Sequence, residues 1–316
     1  MTAEESEAST RAGSRKTRVY VFRDWILHKY SCILKPGNVI LDCAGGKGDL
    51  SFLLSNADEY RSVVLDPRIT KNRHIVKSIQ YLRDHPEEAT KRVVPGLPTY
   101  QPLAALLPMF KGKELAELKS PEHMRILVDK DLVDAVKKLV KSYKREEQDD
   151  STGHCVSGGY HEDTWEEYWS QAQLKGKEAT PLGYKEEEEK DSCPCDRKDR
   201  RGGPIVSAKD AIETILEAKL IVGFHPDQAT DYAIELARVL EVPYAVVPCC
   251  VFPSEFPHRR LADGTKVKCY ADLIKYLQEH FESKIERLNF HFAGGAAKDL
   301  VCFAESCRAA KKEGNR

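Results

Sequence analysis

The residues best suited to ligand chemistry are an acid and three glycines in one short turn, Asp42, Gly45, Gly46 and Gly48, followed by Asp66. An apolar run precedes each acid, so a strand, a glycine-rich turn, a helix and a second strand are predicted in that order. Glycines let the backbone turn sharply and approach a ligand closely. Asp66 lies 24 residues after Asp42, which suits a carboxylate that contacts the hydroxyls of a bound ribose. The pattern predicts a nucleoside-containing cofactor; glycines that serve packing alone are the alternative.

The sequence of this turn resembles motif I of the Rossmann-like (class I) methyltransferases that depend on S-adenosylmethionine (SAM). Residues 42–48 are Asp-Cys-Ala-Gly-Gly-Lys-Gly, and Ala44 takes the position of the first glycine in most of these enzymes. The glycines do not follow the G-x-G-x-x-G spacing of dinucleotide-binding proteins, so NAD is a poorer match. The resemblance implies SAM as the cofactor. The residues that would hold it are Asp42, Ala44, Gly45, Gly46, Gly48 and Asp66.

Two later segments carry a more particular resemblance. Residues 222–230 are Val-Gly-Phe-His-Pro-Asp-Gln-Ala-Thr, and residues 246–250 are Val-Val-Pro-Cys-Cys. They are similar to a set of eukaryotic methyltransferase-like proteins that includes the tRNA acceptor-stem 2′-O-methyltransferases. Those proteins tend to carry Gly-x-His-x-Cys-Gly after the fourth strand, where this chain has Asp227 and Gln228 in place of Cys-Gly. The resemblance implies RNA, either tRNA or rRNA, as the substrate.

The resemblance also implies catalytic roles for residues at strand ends, where ligands bind in open α/β sheets. Methyl transfer needs a nucleophile that is aligned and, where necessary, deprotonated. His225 is predicted as the general base and Asp227 as the group that orients or assists it. The alternative is a His225 that caps the next helix or hydrogen-bonds its loop. Cys249 follows a proline after a strand, like the nucleophile of RNA cytosine-5 methyltransferases; a buried structural thiol is its alternative.

A proline-rich loop and four His or Cys residues elsewhere in the chain complete the set of candidates. His258 and Arg259 are predicted to meet a phosphate or carboxylate of the substrate, unless this loop is purely structural. No metal site is predicted, because the remaining His and Cys residues lack the spacing of a zinc finger. Those residues are His154, Cys155, Cys193 and Cys195.

The elements that must position these residues follow from the hydrophobic pattern. The predicted fold is α/β, a Rossmann-like methyltransferase sheet, mostly parallel, with a C-terminal antiparallel β-hairpin and helices on both faces. The third strand is either 93–94 or 126–128. Helices are predicted at 20–27, 50–54, 69–82, 131–144, 207–217, 229–240 and 272–281. Further strands are predicted at 39–43, 62–65, 220–224 and 244–247, with the hairpin formed by 285–292 and 300–303.

Composition bounds the class of protein. The chain has 316 residues, 41% hydrophobic and 31% charged, which is typical of a globular protein with some solvated tracts. No apolar run approaches the length of a membrane span, and residues 1–17 lack the apolar segment of a signal peptide. Ten cysteines, several inside predicted strands, fit a reducing compartment. A cytoplasmic or nuclear location and no membrane association are predicted.

Charge is distributed unevenly along the chain. Residues 61–145 contain 18 Lys or Arg against 10 Asp or Glu, whereas residues 146–191 contain 4 against 14. The first segment predicts a basic surface for RNA phosphates, and the second an acidic, disordered tract that could bind a protein partner. Two ordinary solvated surfaces are the alternative. Trp165, Tyr168 and Trp169 are unusual for such a tract and predict a short helix that docks on the domain or on a partner.

The predicted organisation has one methyltransferase domain in two parts, 18–144 and 204–306. A disordered N-terminus precedes it at 1–17, an acidic disordered insertion interrupts it at 145–203, and a polar tail follows at 307–316. The leading hypothesis is a SAM-dependent methyltransferase of RNA. A methyltransferase of a protein or small molecule is the second hypothesis. The third is a non-catalytic methyltransferase-like scaffold in a ribonucleoprotein or assembly complex.

Overall fold

The computed structural model describes residues 18–86, 117–149, 159–180, 203–288 and 298–305. A seven-stranded sheet forms its centre. The predicted segments 1–17 and 307–316 and the strand candidate 93–94 lie outside the described residues. The strands are β1 Val39–Cys43, β2 Arg61–Leu65, β3 Glu122–Met124, β4 Ala218–Phe224, β5 Tyr244–Val247, β6 Lys284–Arg287 and β7 Leu300–Ala304.

The sheet is mixed, with the order β3-β2-β1-β4-β5-β7-β6. Strands β1 to β5 are parallel to their neighbours, whereas β7 pairs antiparallel with both β5 and β6. The prediction of an α/β fold with a mostly parallel sheet and antiparallel C-terminal strands is therefore confirmed. Strand order runs outward in opposite directions from β1 and β4, so the crevice between these two strands is the topological switch point.

The helices of the two predicted domain parts lie close to their predicted positions, with ends shifted by a few residues. Each contributes buried apolar side chains to one of the two hydrophobic clusters that flank the sheet. In the described ranges, no helix is both long and apolar enough to cross a membrane. The helices are α1 at 18–29, α2 Asp49–Ala57, α3 Arg73–Asp84, α4 Lys130–Asp149, α5 Gly159–Ala179, α6 Ala208–Leu216, α7 Thr230–Leu240 and α8 Tyr270–Phe281.

Helices cover both faces of the central strands, whose side chains alternate between the two faces. On β1, Ile40 points into a cluster built with α1, α2 and α3. Its neighbour Leu41 belongs to a second cluster, which α4 to α8 complete. All five residues of β1 are buried, as expected of a central parallel strand.

The third strand differs from the prediction. It is Glu122–Met124, three residues paired with Val63 to Leu65 of β2, so the candidate 126–128 is wrong. The Ile126 amide donates to the Met124 carbonyl at 2.9 Å, a tight turn that takes the following apolar residues out of the sheet. A short strand beginning Glu-His has no apolar run by which the sequence pattern could identify it.

The acidic insertion also differs from the prediction, because α5 lies within it. Trp165 and Trp169 are buried, and their indole nitrogens donate to the carbonyls of Ala208 at 2.8 Å and Val206 at 2.7 Å. The expectation of disorder over 145–203 is therefore wrong for α5. The prediction of a helix that docks through Trp165 and Trp169 is confirmed, since these aromatic residues one turn apart form its buried stripe. The aromatic residues dock on the chain's own domain and are not exposed for a partner.

Candidate functional site

The glycine-rich loop between β1 and α2 lies at the carboxyl edge of the sheet, where ligands bind in such folds. Ala44, Gly46 and Gly48 adopt left-handed φ angles of 53°, 58° and 81°. These three positions turn the chain from the strand into the helix. The Ala44 amide donates to the Leu65 carbonyl at 2.8 Å, which ties the loop to the end of β2. Ala44 is strained in this left-handed conformation, and a glycine would avoid that strain.

Asp42 lies beneath this loop and is fully buried. Its Oδ2 accepts a hydrogen bond from the Ser51 hydroxyl at 2.8 Å, while its buried Oδ1 has no partner among the described residues. A Cβ on Gly45 would lie 2.6 Å from Oδ2, so the loop can cover the carboxylate only with glycine there. Burial raises the pKa of Asp42 to about 7; the Ser51 hydrogen bond opposes this rise and the charge of Asp66 adds to it.

Asp66 ends β2 at the predicted place, and its carboxylate is already occupied. Oδ2 accepts from the Gly46 amide at 2.9 Å and from Arg68 Nη2 at 3.0 Å. Oδ1 accepts from the backbone amide and from Nε of Arg68, both at 2.9 Å. The Asp66 side chain is 2% exposed and that of Arg68 is 38% exposed. A ribose at this carboxylate would therefore have to displace the Arg68 guanidinium towards solvent.

His225 ends β4 in a left-handed conformation with φ 57°. Its amide donates to the Val247 carbonyl at 3.0 Å, and its ring stacks on Phe224 with 4.5 Å between centroids. Nε2 lies 3.4 Å from the Lys298 carbonyl. His225 therefore contacts a neighbouring loop and does not cap the following helix. Burial lowers the pKa of His225, so the ring is neutral at pH 7 and has the protonation state of a base.

Asp227 does not have the predicted partner. It also has a left-handed φ, of 49°, and its Oδ1 accepts from the Cys249 thiol at 2.8 Å. Within the described ranges, no hydrogen bond joins Asp227 to His225, so its predicted part in orienting that histidine is not observed. Burial and the Asp227 hydrogen bond raise the pKa of Cys249 well above its ordinary value. Both effects favour the neutral thiol over the thiolate that a Cys249 nucleophile would use.

Arg259 is placed inside the protein, in conflict with its predicted contact to a substrate. Its guanidinium donates two hydrogen bonds to Asp231, at 2.8 and 2.9 Å, and one to the Val251 carbonyl at 2.8 Å. It also lies 3.7 Å from the ring centroid of Phe256. The Arg259 side chain is 1% exposed, so its role is structural, which was the alternative to a substrate contact. His258, the neighbouring residue, is exposed and remains accessible to a ligand.

The predicted basic surface is divided between the two sides of the sheet. Arg73 and Lys77 are exposed on α3, whereas Lys137 and Lys141 are exposed on α4. These helices pack into different hydrophobic clusters, on opposite faces of the sheet. The α3 group is tied to the glycine-rich loop, since the Lys71 amide donates to the Lys47 carbonyl at 3.1 Å. Among the described residues of 61–145, the exposed cations of α3 and α4 therefore lie on different sides of the sheet.

Two cavities in the described part of the chain lie away from the glycine-rich loop. One, of about 710 Å³, opens between α4 and α5 and is lined by Asp129, Tyr168 and Lys175 among others. The second, of about 180 Å³, lies between α7, α8 and His258. The first cavity is bordered by Lys175, which donates to Asp129 at 2.7 Å and to Asp131 at 2.8 Å. Polar groups of several strands converge at the strand ends, outside both cavities.

Sequence analysis missed two residues of this edge. Arg68 was not considered, although a cation two residues after an acid can fold back onto it, as the Asp66 contacts show. Cys250 is not among the predicted site residues, yet its Sγ lies 3.4 Å from that of Cys249. Side-chain direction after a strand end depends on the loop's φ angles, which the sequence does not specify. Comparisons with protein-family models, curated proteins and solved structures yield no match for this chain.

Proposed function

We propose that this protein is a class I, Rossmann-like SAM-dependent methyltransferase that acts on RNA, either tRNA or rRNA, in the cytoplasm or nucleus. The observation that carries the proposal is the loop after β1. Gly45 covers a buried acid there, and the Gly46 amide bonds the acid that ends β2. The loop borders the crevice between β1 and β4, where strand order reverses. An antiparallel β7 beside β5 is a further point of agreement with the methyltransferase layout.

The residues of this loop fit the proposed cofactor. Asp42 keeps an unpartnered, buried carboxylate oxygen within the described ranges, and three glycines remove side chains from the approach to it. Asp66 would bind the ribose hydroxyls once Arg68 moves aside. When bound, SAM would supply a methyl group on a sulfonium, which is transferred in line to a nucleophile. The chain's part is to hold the nucleophile in line and to accept its proton.

His225 is the proposed general base. Its ring is neutral at pH 7 because burial lowers its pKa, and the end of β4 brings it to the same edge as the glycine-rich loop. A neutral imidazole can accept the proton of a substrate hydroxyl. Cys249 is excluded from the proposal as nucleophile, because its thiol is held in the protonated form beside Asp227.

Calorimetric titration of the full chain with SAM and S-adenosylhomocysteine tests the cofactor. We expect dissociation constants on the order of micromolar. Binding should be lost in Asp66→Ala and retained in Asp84→Ala, which removes an exposed acid at the end of α3. Thermal melts of both variants establish that they are folded. A folded wild-type protein that binds neither compound would overturn the proposal.

Transfer of labelled methyl groups then separates the three hypotheses. Label in an RNA pool supports the proposal, and label in protein or small-molecule fractions supports the second hypothesis. SAM binding without transfer to any of these acceptors supports the non-catalytic scaffold. Each outcome assigns the chain to one class.

The RNA surface has its own test, with a matched control in the chain. We expect RNA to bind the α3 side, because α3 begins beside the glycine-rich loop. Charge reversal at Arg73 and Lys77 should weaken RNA binding and reduce the slope of log affinity against log salt by about 1.4 to 1.8. Reversal at Lys137 and Lys141 on α4 should change neither. Equal effects of the two pairs, or none from either, would contradict this assignment.

A further inference from the structure

A group of three metal-ligand side chains lies beside His225 and has no part in the proposed methyl transfer. The carboxylate of Asp227 and the thiols of Cys249 and Cys250 have ligand atoms that all lie within 4.8 Å of one another. Two elements contribute, the turn after β4 and the loop after β5. These strands pair in parallel register, Phe224 with Val247, so their ends bring the three residues together.

The backbone fixes this convergence. The His225 amide donates to the Val247 carbonyl at 3.0 Å, which ties the two loops at their bases. Asp227 is held at a left-handed φ of 49°, a conformation that a non-glycine residue adopts at a cost. With this φ its carboxylate meets Cys249 at 2.8 Å, although the residue is otherwise exposed to solvent. The donors are therefore positioned by the fold on either side of one small space.

Donor type and spacing favour one class of ion. Two thiolates and a carboxylate suit Zn²⁺, which binds sulfur at about 2.3 Å and carboxylate oxygen at about 2.0–2.2 Å in tetrahedral geometry. Ligand atoms at those bond lengths lie about 3.6–3.8 Å apart. The observed separations are 2.8 Å between sulfur and oxygen and 3.4 Å between the sulfurs. The third pair, Asp227 and Cys250, has ligand atoms within 4.8 Å, so changes of about 1 Å in these separations would convert the hydrogen-bonded cluster into a coordination site.

We propose that Asp227, Cys249 and Cys250 bind one thiophilic divalent cation of the Zn²⁺ class. The three side chains leave a fourth tetrahedral position for water or another oxygen ligand, as in zinc sites that keep an open position. Binding replaces the thiol protons of Cys249 and Cys250, so it releases protons and strengthens as pH rises. The site is independent of the glycine-rich loop, and SAM binding neither requires it nor follows from it.

The test is a cobalt titration of the full chain, stripped with a chelator and kept reduced. Co²⁺ reports thiolate ligation through sulfur-to-cobalt charge-transfer absorption in the near ultraviolet and tetrahedral bands in the visible. We expect both to saturate at about one equivalent and to be bleached by Zn²⁺. Cys250→Ser and Asp227→Asn should each weaken cobalt binding by more than about tenfold. Both substitutions are close in size to the native residue, so the variants are expected to fold.

Two controls locate the signal. Cys32→Ser removes an exposed thiol elsewhere, and Cys193→Ser with Cys195→Ser removes the pair considered in the sequence. Neither should change the spectrum. The proposal is overturned if the reduced wild-type protein shows no thiolate absorption with cobalt, or if that absorption survives Cys250→Ser and disappears with Cys193 and Cys195. Parallel SAM calorimetry on the stripped protein keeps this result separate from that of the proposed methyltransferase function.

Discussion

The two halves of the sheet's carboxyl edge present their polar groups differently. At the ends of β1 and β2, the loop is built from glycines, and its polar contact to Asp66 comes from the backbone amide of Gly46. At the ends of β4 and β5, left-handed positions are occupied by side chains instead, namely His225, Asp227 and Phe252. The first half has the form of a cradle for a ligand. The second half brings reactive side chains together.

This difference indicates separate roles. Gly46 and Gly48 adopt left-handed φ at little cost, so strain in the described part of this loop is confined to Ala44. Non-glycine residues in that region cost on the order of 1–3 kcal/mol each, and they persist where surrounding structure over-determines them. The second half is held in this way by a buried ion pair between Asp231 and Arg259. Strained residues cluster at functional sites, which is why both of our proposals for side-chain chemistry lie there.

The largest expected effect tests whether the ion pair supports the second half. Arg259→Leu leaves the Asp231 carboxylate buried without its cation, so we expect a loss of about 3–5 kcal/mol in the free energy of unfolding. Urea unfolding measures it. The double variant Arg259→Leu with Asp231→Leu should recover most of the loss, because no unpaired buried charge remains. A single variant within about 0.5 kcal/mol of wild type would show that the pair is not structural.

The next effect concerns the first half. Gly45→Ala places a Cβ 2.6 Å from the buried Asp42 carboxylate, so the loop must shift. We expect a destabilisation of about 1–3 kcal/mol together with loss of SAM binding. Gly203→Ala is the matched control, because its Cβ would meet nothing within 4 Å. If Gly45→Ala binds SAM as wild type does, the loop is not the cofactor cradle.

A third prediction concerns the pH dependence of the first half. Burial raises the pKa of Asp42 from its ordinary value near 4 to about 7, so the folded protein holds this proton more tightly than the unfolded chain. Its contribution to stability is therefore greatest below about pH 4 and is lost as pH rises through 7. Asp42→Asn should raise the melting temperature at pH 8 and have little effect near pH 4. Asp84→Asn, at an exposed acid, should change neither.

The melting temperatures of the Asp42 variant should be read beside its SAM affinity. An acid that is kept buried at a cost to stability is expected where function requires it. If Asp42→Asn is more stable than wild type but no longer binds SAM, the first half keeps its buried acid for ligand binding, in contrast to the second half. Equal melting temperatures for Asp42→Asn and wild type across pH 4–8 would contradict the raised pKa.

Most of the fold could be predicted because it depends on hydrophobic periodicity. Long apolar strands such as β4 and amphipathic helices such as α7 have strong local patterns. Two elements lack a strong local pattern of this kind. Strand β3 is only three residues long and contains Glu122 and His123, and its pairing with β2 is a tertiary effect. Helix α5 has a charged composition, and its docking depends on distant carbonyls of residues 206 and 208.

The candidate site also has a part that the sequence predicts and a part that it does not. The glycine-rich loop was located because its special backbone angles require a particular residue type, which the sequence displays. The partners of Asp227, Arg259 and Asp66 could not be predicted, because they depend on how loops from different strands meet. A buried bidentate ion pair and an exposed substrate contact both use arginine, and residue type does not distinguish them.

The smallest expected effect concerns Arg68, the side chain that occupies the predicted ribose acid. The pair between Arg68 and Asp66 is partly exposed on the arginine side, so its disruption should cost no more than about 1 kcal/mol. If the ribose of SAM must displace this guanidinium, Arg68→Ala should bind SAM up to about fivefold more tightly. Arg73→Ala removes the same charge from the nearby start of α3 and should leave the affinity unchanged, which separates displacement from a change in net charge. Weaker binding in Arg68→Ala would instead mean that Arg68 contacts the ligand directly, and the first half would then use a side chain as the second half does.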